Sequence, residues 1–93
     1  MARRATKAER DYMQEVASMG CFICKMPAEI HHITTGIGMG QRASNFDVIP
    51  LCPSHHRHGK DAIHSGKGTW EAKYGSELDM CRQVQRMAGL DSE

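Results

Sequence analysis

Three cysteines and a histidine have the spacing of a structural zinc site. Cys21 and Cys24 form a CxxC pair, and Cys52 and His55 repeat the same interval. Two ligands three positions apart fit one tight turn, and two such turns can complete a tetrahedron around Zn²⁺. Cysteines of a cytosolic protein are more often metal ligands than disulfides, and the βαβ context of a thioredoxin-like redox pair is absent from this sequence. We therefore predict structural zinc bound by these four residues.

The fourth zinc ligand is chosen by spacing alone. His55 follows Cys52 at the CxxC interval, whereas His58 and His64 lie near enough in the sequence to take its place. Cys81 falls on a predicted C-terminal helix, where we expect it to be a core residue. His55 is thus the preferred ligand, with His58 and His64 as alternatives.

A second group of polar residues lies between and beside the zinc half-motifs. Hydrolysis of a phosphodiester needs an activated water, a cation at the phosphate and help for the leaving oxygen. Adjacent residues of a strand point to opposite faces. One of His31 and His32 can therefore hold a metal while the other, as neutral imidazole, serves as base near pH 7. Asn45 can orient that base, and His56 can face the strands as a metal ligand. The competing interpretation is that the six histidines are zinc ligands and surface residues without catalysis.

Length and composition predict one small domain over residues 1–93, with a core over about 20–66. The chain has 93 residues and only 5% aromatic residues, so its apolar core is small and a bound metal is expected to stabilise the fold. Net charge is +1. No long apolar run or signal-peptide pattern occurs, so we expect a cytoplasmic protein that does not span a membrane.

Local patterns place these residues on an α+β fold. Thr6-Lys-Ala-Glu9 is a capping box, and Gly20 has the position of a helix C′ glycine. Pro53 suits the first turn of a helix. The predicted elements are a helix over 6–19, a strand over 28–33, a loop over 34–44, a strand over 46–51, a short helix from 52 interrupted near 59, a helical turn over 69–74 and a helix over 76–88.

Basic residues near this region are candidates for contact with nucleic acid. A local basic face suffices for phosphate binding even when net charge is small. No base-reading module is evident, so contacts to the DNA backbone are expected. The candidates are Arg42, Arg57, Lys60 and Lys67, together with the basic N-terminal group Arg3, Arg4, Lys7 and Arg10.

The combined motifs resemble those of HNH nucleases of the ββα-metal (His-Me finger) superfamily, on a zinc-binding treble-clef scaffold. The matching segments are Cys21-x2-Cys24, Ala28-Glu-Ile-His-His32, Asn45 and Ile49-Pro-Leu-Cys-Pro-Ser-His-His56. More narrowly, the chain is similar to the phage-encoded Ref-like recombination-enhancement nucleases that act with RecA. That closer likeness rests on Ala28–His32, Gly38–Ser44, Val48–Pro53, Ala62–His64 and Trp70–Gly75.

The resemblance implies a role for each matching residue. His32 has the position of the general base, and Asn45 that of the residue that orients it. His31 and His56 have the positions of catalytic-metal ligands, while His64 fits the Ref-like pattern as a ligand of metal or phosphate. The implied catalytic cation is commonly Mg²⁺, although imidazoles also suit Mn²⁺, Ni²⁺ or Zn²⁺. Many members have a cysteine where this chain has His55.

The expected function is that of a metal-dependent DNA endonuclease with a one-metal mechanism, in phage recombination or DNA processing. A RecA-like recombinase or another phage protein is the implied partner. The RecA-dependent nuclease has a long basic N-terminal extension, whereas residues 1–4 alone precede the first predicted helix here. We therefore expect DNA to be engaged through another protein or by dimerisation. The alternatives are a non-catalytic treble-clef module that binds DNA or a protein, and a structural subunit of a phage complex.

Overall fold

Two short antiparallel strands form the centre of the fold. The computed structural model describes residues 4–38 and 41–90. In it, β1 (Glu29–His32) pairs with β2 (Val48–Leu51), from Glu29 opposite Leu51 to His32 opposite Val48. All of β2 is buried, whereas β1 buries only His31. Because side chains alternate along a strand, His31 enters the interior and His32 faces the other way, as the sequence predicts.

Helix α1 (Lys7–Ser18) precedes the sheet in the chain and packs against both of its strands. The predicted capping box is confirmed: Thr6 Oγ1 accepts from Glu9 N at 3.1 Å, and Glu9 Oε1 accepts from Thr6 N at 2.7 Å. These bonds satisfy amide groups that the first turn leaves without helical partners. Tyr12 and Val16, one turn apart on the same face, are buried in the core.

Three further helices and a 3₁₀ turn follow the sheet in the described part of the chain. Ser76 caps the last helix by accepting from Asp79 N at 3.2 Å. That helix buries Met80, Cys81 and Val84, so the expected core position of Cys81 is confirmed. The elements are α2 (Pro53–His56), the 3₁₀ turn (Ile63–Ser65), α3 (Lys67–Tyr74) and α4 (Glu77–Met87).

The α+β class is confirmed, but several predicted boundaries were wrong. The strand predicted over 46–51 begins at Val48, because Asp47 N donates to Ser44 O at 2.9 Å in a turn. The turn predicted over 69–74 is a longer helix, α3, that starts after Gly66. The helix expected to reach Gly59 ends at His56. The strand predicted over 28–33 is shorter by one residue at each end. Residues 39 and 40 of the predicted loop lie outside the described residues.

The helices are short. Over the described ranges, none has both the length and the apolar character needed to cross a membrane.

Candidate metal centres

A tight turn after α1 presents the first cysteine pair. Gly20 has φ of +82°, and a Cβ there would lie 2.8 Å from Lys25 O, so the turn favours glycine. Lys25 N donates to Cys21 O at 2.8 Å, and Ile23 N lies 3.4 Å from Cys21 Sγ. The backbone thus closes around the sulfur, which leaves the Cys21 and Cys24 side chains on one side of the turn.

The four predicted zinc ligands meet in one group, which we call the cysteine cluster: Cys21, Cys24, Cys52 and His55. Their ligand atoms all lie within 4.8 Å of one another. Cys24 Sγ is 3.6 Å from Cys52 Sγ, and Cys52 Sγ is 3.2 Å from His55 Nδ1. A tetrahedron with zinc–sulfur bonds of about 2.3 Å has edges of about 3.8 Å. The cluster therefore has the ligand types and separations to hold a metal ion.

The two alternatives to His55 lie elsewhere. His58 is exposed, with Nε2 3.3 Å from Arg57 Nη1. His64 belongs to a second group with His31 and His56, which we call the histidine cluster. One ligand nitrogen from each of these three lies within 4.8 Å of the other two. The structure thus brings His64 to the predicted catalytic-metal residues rather than to the cysteines.

The histidine cluster contains an unsatisfied nitrogen. Within the described residues, His31 Nδ1 is buried and has no hydrogen-bond partner. His56 Nε2 and His64 Nε2 are 3.0 Å apart, and the His31 ring centroid is 5.0 and 5.1 Å from theirs. Buried polar atoms are nearly always satisfied. A cation at this point would satisfy His31 Nδ1, so the cluster fits a metal ion.

Two glutamates hold the rings of this cluster, and neither was predicted from the sequence. Glu77 Oε2 is 2.5 Å from His31 Nε2, and Glu29 Oε2 is 2.7 Å from His56 Nδ1. Each carboxylate occupies one nitrogen of its ring and leaves the other nitrogen available, as carboxylates that hydrogen-bond to metal-binding histidines do. Glu29 lies two residues before His31 in the matched segment, which is a usable signal. Glu77 is 46 residues from His31 and offers no local pattern.

The surroundings keep these carboxylates ionised. Hydrogen bonds from Arg57 and His56 lower the pKa of Glu29 to about 2. Burial raises the pKa of Glu77, but hydrogen bonds from His31 and from Thr34 and Thr35 outweigh it, so the net pKa is well below the usual range. Both acids therefore act only as acceptors near neutral pH.

The two more exposed rings of the cluster are held neutral. Burial lowers the pKa of both His56 and His64, and for His56 it outweighs the hydrogen bond with Glu29, which raises the pKa. Neutral imidazole is the form that binds metals, so this environment suits a metal centre at neutral pH.

On the other face of β1, His32 pairs with Asn45. His32 Nε2 is 2.8 Å from Asn45 Oδ1, and Arg42 Nη2 donates to the same oxygen at 3.0 Å. An amide oxygen only accepts, so this bond places the imidazole proton on Nε2. The lone pair of His32 Nδ1 is then available to accept a proton.

The predicted DNA-contact residues have different environments. Arg57 makes a two-point ion pair with Glu29, through Nε at 2.6 Å and Nη2 at 2.9 Å. Lys67 Nζ lies 3.5 Å from Glu77 Oε1. Arg42 and Lys60 are exposed. Arg57 and Lys67 therefore adjoin the carboxylates that hold the histidine cluster, an arrangement that the charge pattern alone does not reveal.

The N-terminal basic group is already partly engaged within the chain. Lys7 pairs with Asp11 at 2.7 Å, and Arg10 donates to Ala5 O at 2.8 Å. Arg3 lies outside the described residues.

Comparison with known proteins gives a family but no activity. The family model described as "Protein of unknown function (DUF968)" matches residues 2–89. The chain is 32% identical over 83 residues to "Uncharacterized protein YdfU" of Escherichia coli strain K12. That alignment covers 86% of this chain but 23% of the relative, so the chain spans about a quarter of that protein's length. Since the family model covers nearly all of the sequence, this chain belongs to the DUF968 family.

Proposed function

We propose that this protein is a metal-dependent DNA endonuclease that hydrolyses phosphodiester bonds by a one-metal HNH mechanism. The observation that supports it most strongly is that two consecutive histidines of β1 have different partners. His31 faces His56 and His64, whereas its neighbour His32 faces Asn45. This arrangement supports the proposal because one residue of the strand could help to bind a cation while the next residue acts as a base.

His32 would take a proton from the attacking water at Nδ1, because Asn45 holds its Nε2–H. The bound cation would supply stabilisation of charge on the scissile phosphate and the leaving oxygen. Three imidazoles favour Mn²⁺, Ni²⁺ or Zn²⁺ over Mg²⁺, which prefers oxygen ligands. His31, His56 and His64 would hold the cation, and a set of only three protein ligands would leave room for a phosphate oxygen.

A treble-clef, ββα-metal fold and structural Zn²⁺ in the cysteine cluster belong to the same proposal. Support comes from the order of elements: the cysteine turn, the β1–β2 pair, then α2 with Cys52 before it and His56 at its end. Helix α2 thus carries a residue of each cluster, since His55 and His56 are consecutive.

DNA is the proposed substrate, contacted mainly along its backbone. Arg42 lies beside Asn45 and Lys60 is exposed near α2, so both can approach a phosphate near the site. The likeness to Ref-like nucleases suggests DNA processing in phage recombination, with a RecA-like recombinase or another phage protein as partner. The cytoplasm, which keeps cysteines reduced, is the compartment that suits the cysteine cluster.

The test is cleavage of supercoiled plasmid by zinc-loaded protein with added Mg²⁺, Mn²⁺ or Ni²⁺. We expect metal-dependent nicking, and a loss on the order of 10²–10⁴-fold in His32→Ala with unchanged folding and zinc content. His58→Ala is the matched control, because His58 belongs to neither cluster, and it should cut normally.

Wild-type cutting by His32→Ala would refute the assignment of the base. If folded protein cuts with none of the ions, RecA-coated single-stranded DNA should be added. Binding without cleavage under all these conditions would favour the non-catalytic DNA- or protein-binding module.

A further inference from the structure

Both carboxylate oxygens of Glu77 take part in hydrogen bonds inside the protein. Glu77 begins α4 and is 0% exposed. Oε2 is hydrogen-bonded to His31 Nε2. Oε1 accepts hydrogen bonds from Thr34 N and Thr35 N, both at 3.0 Å, and from Thr35 Oγ1 at 2.8 Å. One side chain of the last helix thus joins the loop after β1 to a histidine of the histidine cluster.

We propose that Glu77 is a positioning residue that fixes His31 in the Nε2–H tautomer, so that Nδ1 faces His56 and His64 as a metal ligand. This inference rests on the proposed metal centre and deepens it. Glu77 itself would touch neither the metal nor the DNA.

Two independent observations support this role. A neutral imidazole has one N–H, and a carboxylate only accepts. The bond to Glu77 therefore keeps the proton on Nε2. Separately, Nδ1 of the same ring is a buried nitrogen without a hydrogen-bond partner among the described residues, as is Trp70 Nε1. The hydrogen bond to Glu77 places the proton on Nε2. The atom without a partner is the other ring nitrogen, Nδ1.

The two oxygens of Glu77 make Glu77→Gln an unusually sharp test. Oε1 accepts from three donors in Thr34 and Thr35 at 3.0 Å or less, so the amide oxygen of glutamine must stay there. The amide NH₂ group then faces His31 Nε2 and can only donate to it. That contact requires the lone pair on Nε2 and moves the proton to Nδ1, where it blocks a metal bond. The substitution keeps size and loop contacts while reversing the tautomer.

The first measurement is ¹⁵N NMR of the histidine rings in protein that carries one equivalent of Zn²⁺, enough for the cysteine cluster alone, and no other metal. We expect His31 as the Nε2–H tautomer in wild type and the Nδ1–H tautomer in Glu77→Gln. The matched control is Glu71→Gln, because Glu71 accepts from Glu77 N at 2.8 Å rather than from a histidine. It should retain the wild-type tautomer.

The second measurement is binding of Ni²⁺ alone to the same zinc-loaded proteins by calorimetry. Loss of a hydrogen-bond partner of a metal-binding histidine typically weakens metal binding roughly 10- to 100-fold. Because the tautomer is also reversed, we expect Glu77→Gln to lie at or beyond the upper end of that range. Glu71→Gln should bind as wild type does.

An Nε2–H tautomer in Glu77→Gln, or wild-type Ni²⁺ affinity in that variant, would overturn the proposal. If the variant does not fold, the wild-type spectrum decides, because an Nδ1–H tautomer of His31 there is incompatible with the proposed role. The expected tautomers together with an absence of plasmid cleavage would contradict the nuclease function alone and leave the role of Glu77 standing.

Discussion

The cysteine cluster and the histidine cluster are built in different ways from neighbouring parts of the chain. The cysteine cluster draws one pair of ligands from the turn after α1 and one pair from the start of α2, and the members of each pair are three residues apart. The histidine cluster takes one residue each from β1, α2 and the 3₁₀ turn, and Glu77 on α4 orients the first of them. Metal in the first cluster can therefore tie these two local segments together, whereas the second cluster needs four elements of the fold to be in place.

The ligands of the two clusters also differ in their exposure to solvent. Two of the cysteine cluster's four ligands, Cys21 and Cys52, are buried, and four protein ligands complete a tetrahedron. The histidine cluster runs from buried His31 to exposed His64, and it offers three protein ligands. A closed set of four suits a structural ion, whereas an open set of three near the surface suits an ion that must meet a substrate.

The largest expected effect is the loss of the fold when one cysteine ligand is removed. Cys24 is exposed, so Cys24→Ala leaves no cavity and removes one candidate metal ligand. Because structural zinc supplies folding energy directly in small domains, we expect no cooperative thermal unfolding transition by circular dichroism at 25 °C or above.

The control for this variant is a cysteine outside both clusters. Cys81 is buried in the core, so Cys81→Ala should cost about 1 kcal/mol, a typical value for a point substitution, and keep its transition. A Cys24→Ala protein that melts close to wild type would show that the cysteine cluster does not hold the fold.

The next prediction uses two consecutive histidines that belong to different clusters. His55→Ala should unfold the protein as Cys24→Ala does. His56→Ala should keep the zinc and the melting temperature but reduce metal-dependent nicking by on the order of 10²–10³-fold, as removal of one group that stabilises transition-state charge does.

Melting curves, zinc content and plasmid nicking measured together separate the two substitutions. The reverse pattern, an unfolded His56→Ala and a folded but inactive His55→Ala, would exchange the roles assigned to the two clusters.

The different construction of the two clusters also explains which features could be predicted from the sequence. The capping box, the cysteine spacing and the opposite orientation of His31 and His32 depend on residues within a few positions of each other, and the structure agrees with all three. The sequence left undecided whether His64 joins the cysteine cluster or the histidine cluster, because its distance along the chain from Cys52 does not determine which cluster its ring reaches. Glu77 was missed because packing of α4 alone brings it to His31, and strand ends were misjudged where a turn at Ser44–Asp47 competes with pairing.

The smallest expected effect concerns the outer support of the histidine cluster. Arg57 holds Glu29 through two hydrogen bonds, and Glu29 in turn holds His56 Nδ1 at 2.7 Å. Arg57 is half exposed, and ion pairs near the surface contribute about 0–1 kcal/mol. Arg57→Gln should therefore shift the melting temperature by only a few degrees.

The same substitution should weaken Ni²⁺ binding by several-fold, because Glu29 loses the partner that fixes its orientation. Lys73→Gln is the matched control: Lys73 also makes an exposed ion pair, with Asp61 at 3.2 Å, but away from both clusters. Equal melting temperatures with weaker Ni²⁺ binding in Arg57→Gln alone would show that the pair supports the metal centre rather than the fold. If both variants bind Ni²⁺ as wild type does, then Glu29 orients His56 without help from Arg57, and Arg57 is available for the phosphate contact that its charge first suggested.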